Sequence, residues 1–340
     1  MPMKNKWKYI IGILISVIFL IYALSRVNYA EVWTAFSEAS YIWTIPMMLT
    51  VIIAMYIRAL RWQWLLNPIK RISVKNLFSS IMIGFMANNL LPARIGEVVR
   101  AISLSRKNEL SRSTVFASIV AERAFDSFGL LVLFYLSIIS INYPDDLRKA
   151  GLLALLFTMA LIVFLYLLRF KTDFAVSIII NPIKIISKKF ADRAEMILRK
   201  FVEGLSILNS PFSIFVIILY SIFLWLFTGI SGYIMFLAFD LYPSIWASFI
   251  MLFISVLAVS LPSSPGYIGT FHAACLISFE LIESLGMFPY DVSNSVALSF
   301  SVVIWSCQFF PVTLIGLYYL KKEHLKFSEL SKENVINTPG

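Results

Sequence analysis

Charge is scarce in this chain. Only 14% of its 340 residues are Asp, Glu, Lys or Arg, and the stretch between Lys200 and Lys321 has no Lys or Arg at all. A water-soluble domain needs far more charge to cover its surface. The two cysteines, Cys275 and Cys307, both fall in apolar runs and define no disulfide framework. With only two histidines, His272 and His324, a His/Cys metal site has little to draw on, and we expect neither a metal nor another cofactor. No phosphate-binding glycine loop, dinucleotide fingerprint or nucleophile–His–Asp arrangement occurs, and no long polar stretch provides for a separate catalytic domain. An enzyme is therefore the weaker class, and no catalytic residue is assigned.

What the chain has instead is hydrophobicity: 59% of its residues are hydrophobic and its mean hydropathy is +0.83. The apolar runs are continuous, not alternating, which excludes a β-barrel. The expected fold is all-α: a polytopic integral membrane protein with about six full spans, near 9–24, 42–60, 115–142, 149–168, 212–239 and 296–320. Lys4, Lys6 and Lys8 precede the first run as in a signal peptide, but Ala23-Leu24-Ser25 is a poor cleavage site, so a retained helix is expected. The net charge of +10 belongs mostly to loop lysines and arginines, which points to orientation and anionic lipid head groups, not to nucleic acid.

Loop charge sets an expected topology in a cell membrane, with both termini cytoplasmic. Arg58, Arg61, Lys70, Arg71 and Lys75 make 58–76 an inside loop. Arg94, Arg100, Arg106, Lys107 and Arg112 make 92–114 another. The 77–91 segment between them is short for a span and reads as a re-entrant hairpin from the cytoplasm, a short full span being the competing reading. Glu31 and Glu38, Asp145 and Asp146, and Glu280, Glu283 and Asp291 mark outside loops. The 244–285 segment must then begin and end outside, as a second hairpin, re-entrant or fully spanning, that turns at Pro262–Gly269. Two broken hairpins entering from opposite faces are a transporter pattern.

Between the spans, residues 171–210 form a basic amphipathic segment. Ala194, Ile197, Leu198, Phe201, Val202 and Leu205 recur at helical spacing, and the helix is expected on the cytoplasmic leaflet or as a connecting elbow. Residues 1–325 form one transmembrane domain, and 326–340 a polar cytoplasmic tail.

Three clusters can bind a ligand. Asn88, Asn89, Arg94, Glu97 and Arg100 concentrate amides and ions at the end of the first hairpin. Two guanidinium forks suit a phosphate, with Glu97 orienting one of them; the competing reading is an interfacial salt bridge. Glu122, Arg123 and Asp126 interrupt an apolar run, with Glu122 and Asp126 on one helix face. They either partner the hairpin arginines or lie wet at the interface. Ser263, Ser264, Gly266 and Gly269 form a rigid, hydroxyl-bearing turn whose following helix can direct free N–H groups at an anion, or which simply joins two helices. Trp305 and Gln308 of the last span are candidates to line the same cavity.

These stretches together resemble the transmembrane region of lysyl-phosphatidylglycerol synthase, a flippase-like family. The matching residues are Asn89–Arg100, Glu122–Asp126 and Leu261–Phe271, and the resemblance covers nearly the whole chain. His272 stands where the family pattern has an acidic residue after the aromatic. The resemblance implies translocation of phospholipids or lipid-linked head groups: membrane lipids, anionic or aminoacylated, or a lipid-linked sugar, are the expected partners. The soluble lysyl-transferring domain of the full synthases is missing here, so no transferase activity is expected. The alternatives are an integral-membrane transferase of the synthase type and a scaffold for a separate synthase or glycosyltransferase. The oligomeric state is open.

Overall fold

In a computed structural model the described residues are 6–91, 95–261 and 263–325. Among them there are thirteen α-helices and no strand. In order they are α1 Lys6–Leu24, α2 Tyr29–Glu38, α3 Thr44–Leu66, α4 Val74–Leu90, α5 Gly96–Asn108, α6 Arg112–Ile138, α7 Asp145–Phe170, α8 Thr172–Ile186, α9 Lys188–Glu203, α10 Pro211–Ala238, α11 Trp246–Ser260, α12 Thr270–Ser284 and α13 Asn294–Lys322. Polar punctuation sets many of the boundaries. Asn28 caps α2, Ser111 caps α6 and Ser187 caps α9, each accepting a backbone N–H that the helix leaves unpaired.

Four segments are long and apolar enough to cross a bilayer: 41–66, α7, α10 and α13. A fifth is possible by length if the pair Ile13–Leu24 and Tyr29–Glu38, bent by 86°, counts as one span. The helix α6, at 27 residues, is long enough but carries Glu122, Arg123 and Asp126. The expectation of an all-helical membrane protein therefore holds, while the tally of about six clean spans does not transfer directly.

The chain divides into two interleaved units. One draws on residues within 1–55, 82–96 and 226–319, the other on residues within 56–81, 97–225 and 320–340. In the first unit α11 and α12 pack together as a helical hairpin, and α1 packs on α12. At 15 residues each, α11 and α12 are about 22 Å long, short of the ~30 Å hydrocarbon core. The 77–91 segment is not itself a hairpin: it lies in one helix, α4, and the return leg is α5, in the stretch read as an inside loop. Lys107 Nζ of α5 donates to Ser79 Oγ of α4 at 2.7 Å, the Ser80 and Ser103 hydroxyls lie 3.1 Å apart, and Gly96 sits against Gly84. The pairing runs antiparallel.

The segment 171–210 is not one surface helix but a helical hairpin, α8 and α9, followed by a short 3-10 turn at Ser206–Asn209. The apolar stripe expected to lie on lipid is used inside the protein. Val176, Ile180 and Ala191 form a buried cluster with Ile183, Ala194 and Leu198 against it, and Val202 and Leu205 are buried beside α6. Gly204 lets the chain approach α6, since a Cβ there would lie 2.3 Å from the Thr114 carbonyl oxygen.

Candidate functional site

The densest polar constellation forms in the second unit. Arg58 and Arg61 of α3, Arg100 of α5, and Glu122, Arg123 and Asp126 of α6 converge. The helical period explains the donors: Arg58 and Arg61 are three residues apart and share a face, as do Glu122 and Asp126, four apart. Arg61 is the hub. It ion-pairs with Asp126, donates to Glu122 Oε1 at 3.1 Å and donates to Ser221 Oγ of α10 at 2.9 Å. Gly129 permits that approach of α10, because a Cβ there would come 3.0 Å from Ser221. Arg58 reaches Asp126 at 3.2 Å. Arg100 holds Glu122 through both terminal nitrogens, at 3.1 and 2.6 Å.

Two indoles wall the cluster. The Arg100 guanidinium lies 3.6 Å from the Trp62 ring centre, and Arg58 lies 5.5 Å from that of Trp225. Both contacts suit cation–π attraction away from water. Each indole N–H is also used, by Ser118 Oγ at 3.0 Å and by the Asp126 carbonyl at 2.8 Å. Arg61 and Glu122 are fully buried. Arg123 is the outlet: its side chain is 39% exposed, although it still reaches Glu122 at 3.3 Å. Glu97 lies within electrostatic reach of Arg123. Among the described residues, with Glu97 included, four guanidiniums face three carboxylates, a surplus of one positive charge.

This geometry revises two expectations and decides between the two readings of Glu122 and Asp126. Arg58 and Arg61 are not part of an inside loop: α3 continues to Leu66 and both are buried in the charge cluster. Arg100 is held by Glu122 and not by Glu97, so its fork is already occupied by a carboxylate. Glu122 and Asp126 are buried among arginines and not wet. Arg94 lies outside the described residues.

The remaining candidates belong to the first unit. Asn88 Oδ1 accepts the Gly96 N–H at 2.7 Å and so holds the start of α5 to α4. Asn89 Nδ2 donates to Thr313 Oγ1 at 2.9 Å and to the Phe309 carbonyl at 3.4 Å. At the second turn, α12 begins at Thr270 and not near Gly266, and a 3-10 turn, Pro265–Tyr267, comes first. Gly266 has φ +65°, and its carbonyl accepts the Trp305 N–H at 2.7 Å. A Cβ on Gly266 would meet the Phe309 ring at 2.9 Å and the Asn89 carbonyl at 3.4 Å, so the ends of both hairpins lie beside the middle of α13. The Ser264 N–H donates to Ser16 Oγ at 2.7 Å, and Gly269 (φ +89°) leaves no room for a Cβ against the Ser16 carbonyl. Ser263 is buried, and Gln308 is exposed. No one unit gathers all the candidate residues. The amides and glycines of the first unit serve its turns, and the ions gather in the second.

The sequence singles out four of these six residues: Arg100 beside Pro and Gly, and Glu122, Arg123 and Asp126 as ions in an apolar run. Arg58 and Arg61 read there as loop charge. The signal that identifies them is balance: two carboxylates in an apolar helix require cations, and Arg58-x-x-Arg61-Trp62 puts two cations and an indole on one helical face.

Comparison with known proteins agrees with the helical membrane fold. No solved structure matches the chain. A UPF0104 membrane protein of Methanothermobacter thermautotrophicus is 24% identical over 327 residues, covering 92% of this chain and 94% of the relative. A UPF0104 membrane protein of Methanocaldococcus jannaschii is 26% identical over 227 residues, covering 66% of this chain and 93% of that one. The profile of the lysylphosphatidylglycerol synthase TM region matches residues 9–316, from the first helix to the last, and the chain belongs to that family.

Proposed function

We propose that this protein binds the phosphate-bearing head group of a membrane lipid at the rim of the arginine cluster and moves the lipid between leaflets. The observation that carries the reading is the surplus of guanidinium over carboxylate, with Arg123 as its exposed edge. Buried ions are expensive in an apolar helix and are retained where they serve a substrate or a partner. Arg58, Arg61 and Arg100 are held by carboxylates and build a fixed positive field. Arg123 has surface left for a phosphate oxygen. Glu97 supplies a carboxylate for the ammonium of an aminoacylated head group, and Arg94 is a second candidate cation six residues before Arg100. The acyl tails stay in the bilayer. Loop charge supports a cell-membrane location with both termini cytoplasmic.

Proteoliposomes containing tail-labelled fluorescent phosphatidylglycerol test this reading. A membrane-impermeant reductant measures the lipid reaching the outer leaflet. Wild-type protein is expected to raise the accessible fraction, and Arg123→Gln to reduce the rate at least tenfold with little change in melting temperature. Wild type that moves no lipid, or a folded Arg123→Gln protein at the wild-type rate, overturns the proposal.

A further inference from the structure

The hairpin α8–α9 leaves an apolar, basic tip that the rest of the unit does not cover. Ile185 is 87% exposed and Phe190 61% exposed, on either side of the Ser187 cap. Phe174 and Ile178, on the same face of α8 as Ile185, are also exposed. Lys184 and Lys188 are exposed on either side of the Ser187 cap, and the sequence holds no carboxylate between Lys184 and Ala191. The acids elsewhere in the hairpin are largely engaged. Asp173 pairs with Arg199 at 3.1 Å, and Glu195 with Arg199 at 3.0 Å and with Lys184 at 3.7 Å. Between Arg169 and Ser210 the sequence holds eight basic and four acidic residues.

Chain continuity places this hairpin at a bilayer surface. It follows α7 directly and precedes α10, both long and apolar enough to cross a membrane. Large apolar side chains flanked by exposed lysines, with Glu195 already shared between Arg199 and Lys184, match one surface in chemistry: the interface of an anionic leaflet, apolar below and negatively charged above. A protein partner would have to supply both an apolar pocket and a ring of acids.

We infer that the α8–α9 tip is an electrostatic membrane anchor, inserting Ile185 and Phe190 below the head groups of anionic lipid while Lys184 and Lys188 hold the phosphates. This role does not depend on the arginine cluster. It gives the protein a contact with its own bilayer that responds to lipid charge, separate from any transported lipid.

A nitroxide attached at Ile185→Cys reports depth from its relative access to oxygen and to a water-soluble nickel chelate. The same label at exposed Asp192→Cys serves as a reference. Both native cysteines are buried, which directs labelling to the introduced thiol. In nanodiscs containing phosphatidylglycerol, the label at 185 is expected below the head groups and the label at 192 in water. In phosphatidylcholine discs the inserted fraction should fall. A Lys184→Gln/Lys188→Gln variant should lose insertion by about fivefold for each lysine removed. Raising the salt to 1 M, on protein with its lysines intact, should have the same sign of effect and needs no refolded variant. A label at 185 that stays in water in anionic discs overturns the inference. So does one equally deep in both lipid compositions, or one shielded only on adding soluble proteins.

Discussion

Arg61 and Arg123 occupy one cluster but should behave oppositely when changed. Arg61 is fully buried between Glu122, Asp126 and Ser221. Arg61→Ala leaves two carboxylates short of a partner, and removing one member of a buried pair costs about 3–5 kcal/mol. We expect a marked fall in melting temperature in detergent, with Asp126→Asn in the same direction. Arg123→Gln changes a partly exposed ion pair, typically about 0–1 kcal/mol, so its loss should appear in lipid movement and not in stability. If thermal melting ranked the two the other way, the cluster would not be built around Arg61. Gly96→Ala is a third test. A Cβ there would lie 2.1 Å from the Gly84 carbonyl and 2.4 Å from Asn88 Oδ1. Overpacking of this kind costs about 1–3 kcal/mol, readable as a lower melting temperature.

At the scale of elements, the two hairpins were legible because Pro, Gly and amides interrupt runs too short to span. Their internal wiring was less so. Gly266 was readable as a turn residue, but not that its carbonyl would be held by Trp305 across 39 residues. That pairing depends on tertiary packing, which no local pattern encodes. Trp305→Phe keeps the stack on Phe309, whose ring centre is 4.6 Å away, and removes only the N–H. The loss should be about 1 kcal/mol, with faster amide exchange at residues 264–269 as the local readout. The α9 stripe teaches the converse. Its 3.6-residue period was read correctly as an apolar face, but periodicity cannot say what covers that face. The structure answers with α6 and α8.

Over the whole molecule, loop charge separated two sets of segments, and members of each set meet one another. In the first unit Arg26 pairs with Glu280 at 2.8 Å, the Asn28 N–H donates to Ser295 Oγ, and Tyr290 donates to the Asp240 carbonyl. In the second, Lys70 donates to the Asn108 carbonyl, Lys107 pairs with Glu323, and Thr114 donates to the Lys200 carbonyl. From its excess of Lys and Arg we expect the second set to face the cytoplasm. In intact cells a thiol introduced at Arg26 should react with an impermeant maleimide, while one at Lys70 should react only after permeabilisation. The reverse pattern would invert the topology without disturbing the contacts.

The buried arginines of α3 also bear on how this protein is made. Arg61 precedes its partner Asp126 by 65 residues. Ribosomes add roughly 5–20 residues each second, so α3 waits several seconds for α6. During that interval α3 carries two uncompensated cations, and each disfavours release into lipid by roughly 2.5–3.5 kcal/mol at a helix centre. We expect α3 to linger at the insertion machinery, or at a membrane chaperone, until its carboxylates arrive. A nascent chain halted before Glu122 should crosslink to that machinery through α3, and one halted beyond α6 should not.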